Sequence, residues 1–168
     1  MNTHVHQKGV GLMEVLVALL VLALGVLGFV ALQYRAVEAS NEGEYRIQAI
    51  NIARDVAEKI RVNRTAINAY TTGLSATGVT TLPTPNCFNG YCNATQKAIF
   101  DSALVQLSAT RMGMTVNMMT CPGVANNRRC VYVAWGDTAA TADGEDIDCT
   151  LDTGTYTPNS TCVVMEVY

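Results

Sequence analysis

The chain has 168 residues, 49% of them hydrophobic, and a formal net charge of −3; that is enough apolar sequence for one packed core and the wrong sign of charge for general nucleic-acid binding. Both histidines, His4 and His6, stand near the N-terminus, so the rest of the chain lacks the commonest general base and the commonest nitrogen ligand for a metal. With no phosphate-cradling glycine loop, G-x-S-x-G elbow or H-E-x-x-H pair, the composition points away from an enzyme and gives no cofactor or metal to expect.

Val15 to Leu32 carries no charged or strongly polar side chain. As a helix this run would be about 27 Å long, close to the ~30 Å hydrocarbon thickness of a bilayer. Lys8 ahead of it is an inside-positive cue that places the C-terminal part on the far side, in a bacterium the periplasm. A secretory signal cut near Val37-Glu38-Ala39 fits poorly. The apolar core exceeds the usual ~7 to 15 residues, Gln33-Tyr34-Arg35 intervenes, and Glu14 stands at its start. An unpartnered ionised carboxylate in a bilayer costs several kcal/mol. A helix N-terminus would offset only about 0.3 to 1 kcal/mol of that.

The stretch Lys8-Gly9-Val10-Gly11-Leu12-Met13-Glu14-Val15-Leu16 resembles the type IV prepilin cleavage motif. The resemblance implies a prepilin peptidase cutting between Gly9 and Val10, a leader of residues 1–9, N-methylation of the new N-terminal Val10, and Glu14 as an assembly residue. Glu14 lies four residues after Val10 on nearly the same helix face; there it would pair with a neighbouring subunit's N-terminal amine and set the axial register. The continuation from Glu14 through Gly28, with Ala31-Leu32-Gln33, is similar to the PilV minor-pilin family. The pseudopilins of type II secretion share its first half. The resemblance covers residues 8 to 35 and implies as partners the prepilin peptidase, other minor pilins, the major pilin and an inner-membrane assembly platform. The implied location is the inner membrane, with the head in the periplasm, and then a surface pilus. Major pilins commonly carry a proline in this helix. Here only Gly25 and Gly28 are weak helix residues, open to local unwinding or to small-residue packing.

Ile47, Ile50, Ala53, Ala57 and Ile60 recur at three- and four-residue steps among charged side chains, which predicts an amphipathic helix. With no proline before Pro83, residues 10–62 are expected to form one helix, with 10–33 in the membrane or filament core and a weak point at Gly43. Asn63 to Pro85, rich in Thr, Ala, Gly and Asn, reads as loops. Ala98, Ile99, Ala103, Leu104 and Leu107 predict a second helix over residues 95–110. Strands are expected at 114–121, 130–135 and 162–168 from their Val, Tyr, Met and Thr content. Met112, Met114, Met118 and Met119, with Tyr132 and Trp135, read as core.

The expected fold is therefore α+β and type IV pilin-like: a long N-terminal helix, its first half transmembrane, packed on a small antiparallel sheet in a disulfide-stabilised head of residues 63–168. Cys87, Cys92, Cys121, Cys130, Cys149 and Cys162 all lie beyond the apolar run. Their even number predicts three disulfides in an oxidising compartment. Zinc is disfavoured, because no C-x-x-C spacing or nearby histidine is present. Six cysteines allow 15 pairings, among which proximity favours nearest neighbours. Asp143, Glu145, Asp146, Asp148 and Asp152 miss the EF-hand pattern and read as a solvated acidic loop. The rival functions are a minor pseudopilin of type II secretion and a membrane-anchored periplasmic enzyme or adhesive domain.

Overall fold

The computed structural model describes residues 11–124 and 126–167. Helix α1, Leu12–Val62, is followed by a 3-10 turn, Arg64–Ala66, and by α2, Ile67–Leu74, and α3, Ala94–Arg111. Three strands complete the chain: β1, Met114–Thr120, β2, Arg129–Trp135, and β3, Cys162–Glu166. The fold is α+β, a long apolar N-terminal helix with a small antiparallel sheet, as in type IV pilins. Residues up to Gly43 and residues from Glu44 onward form two compact units.

In the first unit α1 is built from Leu, Ala and Val, and the Glu14 and Val15 amides both bond the Gly11 carbonyl. Residues 11 to 43 are all exposed, and the apolar window is long enough to cross a membrane while none of it is buried. In the second unit the last turns of α1 bury Ala49, Ile52, Ala53, Val56 and Ile60, the 3–4 spacing of one helix face. The face differs from the sequence expectation by a part turn. Ile47 stays exposed and Ile50 and Ala57 lie at its margins, because small Ala49 and Ala53 sit at the centre of the contact.

The region expected to be loops contains the 3-10 turn and α2. Thr71, Thr72 and Gly73 are poor helix formers, but Ala66, Tyr70 and Leu74 fall on one face and are buried. Packing therefore overrides propensity. An added Cβ on Gly73 would lie 2.7 Å from Ser102 Cβ, so glycine is what lets α2 and α3 approach. Buried Gln106 then donates to the last carbonyls of α2, Gly73 O at 2.7 Å and Leu74 O at 3.0 Å.

Helix α3 starts with a capping box. Asn93 Oδ1 accepts from the Gln96 amide at 2.9 Å, and Gln96 Oε1 accepts from the Asn93 amide at 3.1 Å. It ends at Gly113, whose φ of 70° makes the left-handed turn into β1.

The sheet order is β1-β2-β3, antiparallel throughout, with Met114 opposite Trp135 and Val133 opposite Val163. The middle strand is covered on both faces. Val131, Val133 and Trp135 join Met114, Val116, Met118 and the helices in one cluster, while Cys130, Tyr132 and Ala134 pack with Ala140, Cys149 and Cys162 in another. This explains why β2 is buried at every residue but its first. The methionines Met114 and Met118 are core residues. The strands end at Thr120 and Glu166, short of the expected Cys121 and Tyr168; Tyr168 lies outside the described residues.

Candidate assembly segment and head loops

The expected cleavage residues Gly9 and Val10 lie outside the described residues. Glu14 occupies the exposed first turn of α1, where the helix macrodipole favours an acid. Among the described residues its carboxylate makes no ion pair. An added Cβ at Gly25 or Gly28 would meet nothing within 4 Å, so no contact among the described residues requires glycine there. The exposed segment thus presents one carboxylate followed by Leu16, Leu19, Leu20, Leu24 and Leu27, each more than half exposed. A surface of that kind is stable only in lipid or against other apolar helices.

The six cysteines form three disulfides, Cys87–Cys92, Cys121–Cys130 and Cys149–Cys162, and no described cysteine is free. Cys121–Cys130 ties the end of β1 to β2. Cys149–Cys162 fastens the loop between β2 and β3 onto the sheet, with Cys149 fully buried. Cys87–Cys92 closes an exposed knuckle in which Phe88 meets the Phe100 ring edge-on at 4.9 Å.

The acidic loop is organised by one of its own members. Asp148 is buried, and its carboxylate accepts from the Thr141 hydroxyl and from the Asp143 and Glu145 amides, each at 2.9 Å. Burial alone would raise its pKa. The Thr141 hydroxyl and the Glu145, Asp143 and Gly144 amides outweigh that and hold it below the ordinary carboxylate range. Asp143, Glu145, Asp146 and Asp152 are exposed, as expected of a solvated loop; Asp148, read with them, is a structural pin. Arg128 pairs with Glu166 at 2.8 Å and Arg129 donates to Thr120 Oγ1 at 3.1 Å, so this arginine pair braces strand ends.

Two open clefts flank Asp137 and Thr138, of about 370 Å³ beside Ser75 and Asn117 and about 450 Å³ beside Asp146 and Asn159. Among the described residues no group of three or more His, Cys, Asp or Glu side chains is placed to hold a metal.

Residues 31–103 match the model of a family described as Tt1218-like, type IV pilin Tt1218. The match supports a type IV pilin. It begins where the N-terminal resemblance is ending, so two largely separate stretches of the chain point to one class. No curated protein and no solved structure matches the chain. The matched residues run from the end of the apolar segment through α2 and the Cys87–Cys92 knuckle to the middle of α3.

Of the features that shape the head, the sequence reading missed the α2 contacts and the Asp148 pin. The Asn93-x-x-Gln96 capping box ahead of an apolar pattern was a readable signal for the start of α3. Nothing local in the sequence marks Gln106 as the residue that closes α2.

Proposed function

We propose that this chain is a minor pilin of the PilV type, a structural subunit that enters a type IV pilus or its initiating tip complex. A prepilin peptidase removes residues 1–9, Val10 becomes the methylated N-terminus, and residues 10–33 hold the chain in the inner membrane with its head in the periplasm. The subunit then leaves the lipid through the assembly platform and joins other minor pilins and the major pilin. The observation that carries this reading is the wholly exposed apolar run of α1 headed by Glu14, a surface suited first to lipid and then to a core of neighbouring helices.

In the filament the carboxylate meets the N-terminal amine of the next subunit, a charge pair within apolar surroundings that fixes stagger between otherwise featureless helices. The test is intact-mass analysis of the protein from membranes and from sheared filaments. A methylated chain starting at Val10 in both fractions is expected. A start at Ser40 establishes ordinary secretory cleavage instead, and a processed chain found only in a secretion apparatus establishes the pseudopilin alternative.

A further inference from the structure

A sheet of three strands has two edges, and each exposes amides and carbonyls able to pair with another chain. In this head, side chains occupy the outward amide and carbonyl of Met118 on the β1 edge and the outward amide of Val164 on the β3 edge. On β1 the Met118 amide donates to Asn117 Oδ1 at 2.8 Å. The Ser75 hydroxyl lies 2.9 Å from that oxygen and 3.1 Å from the Met118 carbonyl, its one proton shared between them. Asn117 is held in this pose by donating Nδ2 to the Ala140 carbonyl at 3.0 Å. On β3 the Val164 amide donates to the Tyr156 hydroxyl at 3.2 Å. Strand amides alternate between the two sides, so an amide given to a side chain rather than to the neighbouring strand is one that faces away from β2.

The three guards come from different places in the chain: Ser75 closes α2, Asn117 lies within β1, and Tyr156 sits in the loop before β3. Tyr156 is half exposed, so burial alone does not explain its hydroxyl being turned onto a strand edge. We propose that Ser75, Asn117 and Tyr156 close the sheet edges against strand pairing with a second copy of this chain. Contacts between heads are then confined to side chains, and heads crowded together do not zip into a continuous sheet. The open partner would be the same edge of another copy, since β3 against β3 makes a self-complementary two-fold contact.

The test compares the full chain in detergent with Tyr156→Phe and with Ser75→Ala/Asn117→Ala. Hydrogen exchange is followed at the Val164 and Met118 amides and mass is measured by light scattering. Removal of one ordinary hydrogen bond predicts exchange faster by about five- to tenfold at the freed amide. Val131 and Val133 on the central strand should be unchanged, and concentration-dependent dimers should appear with an intermolecular antiparallel amide I band. Tyr156→Phe keeps its ring and decides the matter alone if the double variant unfolds. Variants that stay as monomeric as the wild type at every concentration overturn the proposal, whatever their exchange rates.

Discussion

The Tyr70 hydroxyl lies 3.0 Å from Asp101 Oδ2, and both side chains are buried. The same hydroxyl is 3.3 Å from the Lys59 carbonyl near the end of α1, and Lys97 pairs with the other Asp101 oxygen. One residue of α2 thus joins α1 to α3. Tyr70→Phe should lower stability by about 1 to 3 kcal/mol, because it leaves a buried acceptor short of a donor. Burial first, then the Asp101 charge, raises the Tyr70 pKa above 10.0. A raised folded pKa adds stability that is complete below the unfolded value and is lost as pH climbs above it. Urea midpoints should therefore fall from about pH 10 upward in the wild type, and less steeply in Tyr70→Phe.

Gly73→Ala would gain about 0.5 to 1 kcal/mol of helix propensity, yet its new methyl would lie 2.7 Å from Ser102 Cβ. The clash, typically about 1 to 3 kcal/mol, should win. Adding Ser102→Ala removes the Ser102 Oγ that would lie 2.8 Å away but keeps the Cβ, so it should rescue only in part, whereas Ser102→Gly removes both atoms and should rescue more. Thermal melts of the four proteins check this, and a failure of both second substitutions to restore stability would show that the contact is not the cause.

The three disulfides should not be equal. Cys149–Cys162 closes a separation of 13 residues and Cys87–Cys92 one of 5, a difference of about 0.8 kcal/mol in the loop-entropy model. Cys149 is also fully buried while Cys87 and Cys92 are partly exposed. Paired serine substitutions should cost most at 149/162, within the usual ~2 to 5 kcal/mol, and least at 87/92. Denaturation midpoints give the order, and thiol labelling of the wild type should find no free cysteine.

Asp148→Asn should loosen the loop between β2 and β3 by removing a carboxylate with several donors, at about 1.5 to 3 kcal/mol. Its lowered folded pKa means that the stabilisation is present above the unfolded value, near 3.8, and is lost as pH falls through the folded one. Wild-type stability should drop below about pH 4 more than that of the asparagine variant. Parallel acid titrations of the two proteins would reveal the difference.

On the proposed pairing of Glu14 with a neighbouring subunit's N-terminal amine, Glu14→Ala should leave membrane insertion and processing intact while reducing recovery in sheared filaments, since breaking a buried charge pair costs about 3 to 5 kcal/mol. Glu14→Lys should be worse, because it sets like charges together. Comparing processed protein in membranes and filaments measures both, and wild-type recovery of Glu14→Ala would remove Glu14 from the assembly mechanism.

Elements with strong local signals could be read from the residues alone. The apolar run and Glu14 define the N-terminal segment, Val- and Met-rich stretches define three strands, and the cysteine spacing favours the three neighbouring pairs now seen. The rest follows from packing between distant segments and from backbone donors. Helix α2 exists because Tyr70, Leu74 and Gly73 find α3, not because Thr71 and Thr72 favour a helix. The buried face of α1 turned from Ile47 to Ala49, beside the expected Ala53, because close approach rewards small side chains. Asp148 became a pin rather than a solvated charge because four donors from one loop converge on it. Each of these depends on residues distant in sequence or on backbone amides, and neither kind of partner leaves a trace in composition or periodicity.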